Sequence, residues 1–344
     1  MIIHFKQPLQ TNIVQILTKK FASMGKHGFL IDNHLTVLGI EHYDFNQDEL
    51  NAIDVVIPEQ PSFVLASRDF KPDDTLIKLP NGTLGGNNFT LVAGPDAVES
   101  EEMIHTLARV AKQGGARILS ASNFVNIDAP YDFAGLGEAG LKYLRAAADE
   151  MNMDVMSQVT NSSQISTVGQ YADILEVGPE NMRNSELLQA LGKQKKPVAL
   201  HQSNDATIED WLNATEFIAS EGNQQIILMA SGTVSFDHDF SQSDLDIATI
   251  PIIHNLSHYP LLVDPGKISA SSELVRPIAR AAIAAGAQGV KLSIHEDPTQ
   301  AQSKAGYAIT PNEYMEVTRQ LLKLAQVVTP WETENNTMHT KQQS

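Results

Sequence analysis

The stretch PLLVDPGKISASSELVRPIARAAIAAGAQGVKLSI, residues 260–294, decides the fold. Its two ends, PLLVD and GVKLSI, are short apolar runs of the kind that form buried β-strands. The intervening segment SELVRPIARAAIAAG is an amphipathic helical pattern with small residues that permit close packing on a sheet. Strand, helix and strand in this order predict a parallel pair of strands joined by a crossover helix.

The same alternation extends back along the chain to residue 89. It predicts eight strands separated by helical segments: FTLVAG (89–94), ARILS (116–120), DVMSQV (154–159), ADILEV (172–177), PVALHQ (197–202), QIILMA (225–230), PLLVD (260–264) and GVKLSI (289–294). Eight such units favour an α/β fold closed into a (β/α)8 TIM barrel. The pattern alone leaves a doubly wound open sheet as the alternative.

Residues 1–70 follow a different pattern, with strands and helices in the order βαββαβ. This order predicts a small α+β domain of the ferredoxin-like type, with helices on one face of an antiparallel sheet. The segment 71–88 is rich in Gly, Asn and Pro and is predicted to be a linker. The barrel should then occupy residues 89–327, and the polar, aperiodic residues 328–344 should form a disordered tail.

Composition restricts the partners that the chain can bind. It has 41 acidic against 24 basic side chains, a formal charge of −17, so nucleic acid and anionic membranes are unlikely partners. The lack of cysteine excludes disulfides and thiolate chemistry and suits a reducing compartment. Since no apolar run approaches a membrane span and no secretory signal pattern is evident, we expect a cytoplasmic protein.

Several segments carry a resemblance to a known family. The segment LVAGPDAVES (91–100) is similar to the GPCSVE signature that opens the barrel of the DAHP synthases, and similar text continues through most of the chain: SRDFKPDDTLIKLPNG (67–82), PYDFAGLGEAGLKYLRAAA (130–148), QYADILEVGPEN (170–181), SHYPLLVDP (257–265) and ARAAIAAGAQGV (279–290). The resemblance covers about residues 1–327. It implies a ferredoxin-like regulatory domain before a barrel that condenses phosphoenolpyruvate with erythrose 4-phosphate, the first step of the shikimate pathway to aromatic amino acids.

The resemblance also implies a divalent metal, which the family holds with Cys, His, Glu and Asp. At the matching positions this chain has Asp96, Lys267, Ser293 and Lys304. Metal ligation needs lone-pair donors, and two ammonium groups repel a cation. The substitutions therefore predict that the metal is lost and that the chain has no cofactor.

The basic residues that the family uses to bind phosphate and carboxylate are also replaced. Their positions are occupied by Ser120, Val125, Ile127, Glu180 and His201, and an ERG segment is replaced by Ala230, Ser231 and Gly232. Arginine is favoured for bidentate binding of such anions, whereas a carboxylate at position 180 repels them. We therefore predict that the family's activity is absent or altered.

Three functions remain open at this point. The chain could be a pseudoenzyme that acts as a sensor or as a partner subunit of an active synthase. It could be a repurposed enzyme that binds another small anionic metabolite through Asp96, Lys267 and Lys304, or a DAHP synthase with a rearranged site. Further candidates at the barrel mouth are His201 and His295 for proton transfer, Asp264, and Asn181 and Ser231 for substrate binding.

Two narrower hypotheses concern Lys267 and the N-terminal domain. A desolvated Lys267 could form an imine with a carbonyl substrate, while the simplest alternative is an internal ion pair between the mouth lysines and Asp96. By resemblance, the N-terminal domain could bind an aromatic amino acid and support a homo-oligomer, usually a tetramer in the family. His254 and His258, four residues apart, are predicted to have packing roles.

Overall fold

The computed structural model describes residues 1–26, 28–31, 33–37, 39, 40, 42–57, 62–127, 129–235, 243–269, 271–303 and 306–328. Lys304 and most of the predicted tail, residues 329–344, therefore lie outside the described residues. The chain begins with β1 (Ile2–Phe5), α1 (Thr11–Ser23), β2 (Gly28–Ile31), β3 (His34–Val37), α2 (Gln47–Ala52) and β4 (Ile53–Ile57). This is the predicted βαββαβ order.

The four strands of this N-terminal unit form an antiparallel sheet in the order β2-β3-β1-β4. Because side chains alternate along a strand, Ile3 and Phe5 share one face and pack in one apolar cluster with Leu17 and Phe21 of α1. Ile2 lies on the other face and belongs to the main apolar cluster of the molecule. The unit thus has its own core on one side and contacts the rest of the chain on the other.

The segment predicted as a linker contains a hairpin, β5 (Ile77–Leu79) and β6 (Gly82–Leu84). Ile77 and Leu84 belong to the apolar cluster that fills the barrel interior. At the hairpin turn, the backbone N–H of Asn81 donates to Asp154 at the start of a barrel strand, over 3.0 Å. The hairpin therefore closes the end of the barrel at which the strands begin, which local sequence patterns do not indicate.

The eight predicted strands are all present in the part of the chain that the structure describes. Their bounds are β7 (Thr90–Gly94), β8 (Ile118–Ser120), β9 (Asp154–Gln158), β10 (Ile174–Val177), β11 (Val198–His201), β12 (Ile226–Ala230), β15 (Leu261–Val263) and β16 (Gly289–Ser293). Neighbouring strands pair in parallel, and β16 pairs with β7 to close the barrel. The prediction of a closed barrel is confirmed, and the open-sheet alternative is wrong. A separate two-stranded antiparallel sheet, formed by β13 (Thr233–Val234) and β14 (Ser243–Asp244), follows β12 in the chain.

Helices cover the outside of the barrel: α3 (Glu101–Gln113), α4 (Gly137–Glu150), α5 (Ile165–Tyr171), α6 (Ser185–Gly192), α7 (Ile208–Ala219), α8 (Thr249–Leu256), α10 (Ser272–Ala284) and α11 (Pro311–Val327). A short helix, α9 (Pro265–Ser269), directly follows β15. Several begin at side-chain caps; Thr207 and Asp210, for example, form a capping box at α7. Among the described helices, none is both long enough and apolar enough to cross a membrane.

The histidines of HNLSH have separate structural partners. His254 Nε2 lies 2.8 Å from the carbonyl oxygen of Gly286, and His258 Nε2 lies 2.9 Å from that of Leu65. Burial lowers the pKa of His258 to about 3, so its ring is neutral near pH 7. These contacts are packing contacts, in agreement with the sequence interpretation.

Candidate functional site

The C-terminal ends of the barrel strands bring together most of the predicted site residues. Asp96 follows β7, His201 ends β11, Ser231 follows β12 and Asp264 follows β15. Lys267 lies one turn further along, in α9. Gly94 allows the approach of β7 to β8, because a Cβ at this position would lie 2.0 Å from the carbonyl oxygen of Ser120. The backbone thus places Asp96 at the rim of the mouth.

Asp96 and Lys267, two positions at which the sequence resemblance implies metal ligands, are paired with each other. Lys267 Nζ lies 3.6 Å from Asp96 Oδ1 and 5.2 Å from the centre of the Tyr307 ring, and the Tyr307 hydroxyl donates to Asp96 over 2.6 Å. Burial disfavours the charged lysine, but the carboxylates of Asp96 and then Asp264 outweigh it and raise the pKa of Lys267. Lys267 is therefore an ammonium ion near neutral pH.

A second ionic group occupies the centre of the barrel. Lys291, on β16, forms a short ion pair with Glu176 on β10, and its Nζ lies 3.8 Å from Asp264 Oδ2. His201 Nε2 lies 2.6 Å from the same Glu176 oxygen, and His201 Nδ1 lies 2.5 Å from Ser231 Oγ. A carboxylate only accepts hydrogen bonds, so Nε2 carries a proton and donates to Glu176. The four side chains form one buried chain of hydrogen bonds.

The charges of this central group stabilise one another. Burial alone would raise the pKa of Glu176, but Lys291 and then His201 hold it well below its usual range. Burial would likewise lower the pKa of Lys291, and the Glu176 and Asp264 carboxylates raise it instead. Opposite charges within a few ångströms favour the charged forms of both partners. Glu176 and Lys291 are thus a permanently charged pair at neutral pH.

Sequence reasoning did not identify Lys291, Glu176 or Tyr307 as site residues. Lys291 lies inside GVKLSI and Glu176 inside ADILEV, so both interrupt otherwise apolar strands. A charge within a buried strand requires a partner, because desolvation of an unpaired charge is costly. Two oppositely charged residues inside otherwise apolar strands were therefore the sequence feature that could have identified this buried pair.

The remaining candidates lie at the edge of the mouth or outside it. His295 Nε2 is 3.5 Å from Glu99 Oε2, and the backbone N–H of Asp297 donates to His295 Nδ1 over 3.1 Å. The side-chain oxygen of Asn181 accepts from Asn184 over 3.1 Å. Ser293 is buried at the end of β16. None of these three side chains lines the mouth cavity, so only part of the predicted set converges.

The cavity at the mouth is narrow, with a volume of about 30 Å³. Its lining residues are Asp96, Ser122, Gln158, Glu176, Gly178, Pro179, Glu180, His201, Lys267 and Lys291. Pockets for small-molecule ligands usually measure about 300–1,000 Å³, whereas about 10–15 Å³ accommodates one water. In this arrangement the mouth has room for water but not for a sugar phosphate.

The donor set at the mouth does not fit a divalent cation. Of the positions at which the resemblance implies metal ligands, Asp96 supplies a carboxylate, but the Lys267 ammonium lies against it, and the Ser293 hydroxyl does not line the cavity. Within the described residues, no group of three His, Asp or Glu side chains has the arrangement of a metal site. Cations are bound by lone-pair donors, and an ammonium group offers none.

The balance of charge at the mouth is negative. Among the described residues near Lys267, the carboxylates are Asp96, Glu176, Glu180 and Asp264, and Lys291 is the other ammonium group. Glu180 accepts hydrogen bonds from Asn126 and Gln158 over 2.6 and 2.8 Å. Both described lysines are thus already compensated by carboxylates.

Known proteins resemble this chain over both the barrel and the N-terminal unit. The curated phospho-2-dehydro-3-deoxyheptonate aldolase of Thermotoga maritima is 37% identical over 278 residues, which are 81% of this chain and 82% of that protein. A 2-dehydro-3-deoxyphosphooctonate aldolase of Koribacter versatilis is 28% identical over 270 residues, 74% of this chain and 97% of that protein.

Two solved structures also resemble this chain. The crystal structure of DAHP synthase from Thermotoga maritima has a TM-score of 0.76 at 32% identity and covers 94% of this chain and 97% of its own. A truncated form of the synthase from that organism has a TM-score of 0.71 at 37% identity, over 77% of this chain and 97% of its own. The sequence model of the DAHP synthetase I family matches residues 74–329. The chain therefore belongs to the DAHP synthetase I family.

Proposed function

We propose that this family member does not catalyse the metal-dependent condensation and acts instead in a non-catalytic role, as a sensor or as a partner subunit of an active synthase. The observation that carries the proposal is the Lys267 ammonium, which lies 3.6 Å from Asp96 where the family resemblance implies two metal ligands. The ammonium group occupies the space beside Asp96 and supplies the positive charge there. A divalent cation would therefore lack both room and lone-pair ligands at this point of the mouth.

The anion-binding positions support the same conclusion. Glu180 replaces an arginine of the family pattern and is held by Asn126 and Gln158. His201 replaces a lysine and is fully engaged with Glu176 and Ser231. A phosphate-bearing substrate would meet the Glu180 carboxylate where the family resemblance implies an arginine. The alternative of a small anionic metabolite is less well supported, since it would have to displace Asp96 from Lys267.

The imine hypothesis is also weakened by the geometry. An amine attacks a carbonyl only in its neutral form, and a catalytic lysine is usually activated by a lowered pKa. The carboxylates around Lys267 raise its pKa. Lys267 is therefore better described as a built-in cation than as a nucleophile.

The decisive test is an assay of DAHP formation from phosphoenolpyruvate and erythrose 4-phosphate by metal-stripped protein, with and without Mn²⁺. The Thermotoga maritima relative serves as the active control. We expect no turnover above background in either condition. Metal-stimulated turnover would refute the proposal and favour a DAHP synthase with a rearranged site.

A variant that restores the family's ligand types provides the matched experiment. It combines Asp96→Cys, Lys267→His, Ser293→Glu and Lys304→Asp, which replace both lysines with lone-pair donors. We expect this variant to bind Mn²⁺, detected as loss of the free-ion electron paramagnetic resonance signal, whereas the native chain leaves that signal unchanged. Equal binding by both proteins would contradict the role given to Lys267.

A ligand or partner of such a protein would be identified from what its N-terminal unit binds and from its oligomeric state. The proposal includes an aromatic amino acid bound by residues 1–70 and a homo-oligomeric assembly. Light scattering with and without phenylalanine, tyrosine or tryptophan tests both, and co-purification with an active synthase tests the role of partner subunit.

A further inference from the structure

A pair of histidines lies on the face of the N-terminal sheet that contacts the barrel. His4 on β1 and His34 on β3 are directly opposite each other in the antiparallel register. Their ring centres are 4.1 Å apart, and both side chains are half-buried. Cross-strand neighbours at this separation interact directly, so the protonation of one ring affects the other.

Both rings bind the segment 62–71, which leads into the barrel. His4 Nε2 lies 3.0 Å from the carbonyl oxygen of Asp69, and His34 Nδ1 makes a short hydrogen bond to that of Phe70. A carbonyl oxygen only accepts hydrogen bonds, so the bonded nitrogen of each ring carries a proton. One proton per ring is therefore sufficient for both hydrogen bonds. Neutral histidines therefore make both contacts without a net charge.

The same face buries apolar groups around the two rings. Ile2 and the partly buried Phe29 and Ile57 belong to the apolar cluster that contains Phe63 and Phe70 of the connecting segment. The hydrogen bonds and this apolar contact together dock the N-terminal unit on the barrel. The docking surface thus contains two ionisable imidazole rings.

The charges that face His4 come from three elements. They are His34 on β3, Asp54 on β4 and Asp69 in the connecting segment. Burial and then the neighbouring His34 ring lower the pKa of His4, and the hydrogen bond to the Asp69 carbonyl and the Asp54 and Asp69 carboxylates only partly offset them. A second proton on each ring would place two positive charges about 4 Å apart in a half-buried contact, where their repulsion is weakly screened.

We propose that the His4–His34 pair makes the docking of the N-terminal unit on the barrel sensitive to pH, with the docked state favoured at neutral pH and released on acidification. This inference is independent of the function proposed for the barrel mouth. Because the pKa of His4 is lowered in the docked state, the stabilisation is fully present above the ordinary histidine value of about 6.5 and is lost as the pH falls below it.

The absence of native cysteine makes the experiment direct. Gln15→Cys on α1 and Gln194→Cys after α6, both exposed, carry donor and acceptor dyes for single-molecule energy transfer. We expect the ratio of undocked to docked molecules to rise several-fold between about pH 7.5 and about pH 5.5, because the pKa of His4 is lowered in the docked state.

The matched variant is His4→Gln with His34→Asn, because each amide nitrogen replaces the ring nitrogen that donates and neither titrates. It should stay docked at both pH values. The control His42→Gln removes an exposed histidine of the same unit and should keep the native response. An unchanged native ratio, or a full pH response in the double variant, would overturn the proposal.

If the double variant does not dock at pH 7.5, the native protein still decides the question. Nuclear magnetic resonance of histidine-labelled protein gives the titration midpoint of each ring. The proposal requires a lower midpoint for His4 than for the exposed His42, and a midpoint for His4 equal to or above that of His42 would refute it.

Discussion

At the scale of single residues, Lys291 and Glu176 show how the barrel tolerates charge at its centre. Removal of one partner of a buried pair leaves the other unpaired and typically costs about 3–5 kcal/mol, whereas replacement of both by apolar groups is often neutral. We predict that Lys291→Ala lowers the free energy of unfolding in urea by about that amount, and that Lys291→Met with Glu176→Leu restores only part of it, because Asp264 and His201 also lose a partner.

The control for this prediction is Lys142→Ala, since the Lys142–Glu138 pair is exposed, with a separation of 3.1 Å. Exposed pairs contribute little to stability, because water and dissolved salt screen their attraction. Equal losses in Lys291→Ala and Lys142→Ala would mean that the central pair has no special role.

At the scale of elements, Glu216 joins α7 to the connecting segment. It accepts hydrogen bonds from the backbone N–H groups of Leu65 and Ala66 over 3.1 and 2.9 Å. Burial raises its pKa to about 7, and these hydrogen bonds only partly offset it. Between about pH 4.5 and 7 the unfolded chain has released this proton while the folded chain retains it, so folding stability falls as pH rises through that window, by up to about 3 kcal/mol.

The predicted consequence is that Glu216→Gln removes this dependence. The difference in unfolding free energy between the variant and the native chain, measured from pH 4.5 to 8, should change in favour of the variant as pH rises. The effect is opposite in sign to that of His4, so the two groups can be separated. A difference that is constant with pH would show that Glu216 is ionised throughout.

At the scale of the whole molecule, the mouth carboxylates already have partners, so the fold should not depend on a divalent ion. The described lysines Lys267 and Lys291 pair with Asp96, Glu176 and Asp264. Because a metal that binds only the native state raises its melting temperature, calorimetry provides the measurement. We predict the same Tm with excess chelator and with Mn²⁺, and a lower Tm in chelator would indicate a resident metal.

The sequence by itself determined the order of strands and helices and the identity of the substituted positions, whereas closure of the barrel is seen in the pairing of β16 with β7. Eight apolar runs separated by amphipathic helices specify buried parallel strands, because each pattern reflects burial of a local segment. The helix predicted at SELVRPIARAAIAAG coincides with α10, from Ser272 to Ala284, apart from its last two residues. Family resemblance, position by position, also placed Asp96 and Lys267 at one site, and the structure shows them paired.

Only the tertiary structure decided which charges meet. Lys291 and Glu176 are 115 positions apart, and they pair because closure of the barrel turns both side chains inward. The hairpin at residues 77–84 and the contacts of His4 and His34 with the connecting segment likewise depend on packing between distant parts of the chain. Local sequence indicates whether a side chain is suited to burial. Strand register and chain topology decide which other side chain it contacts.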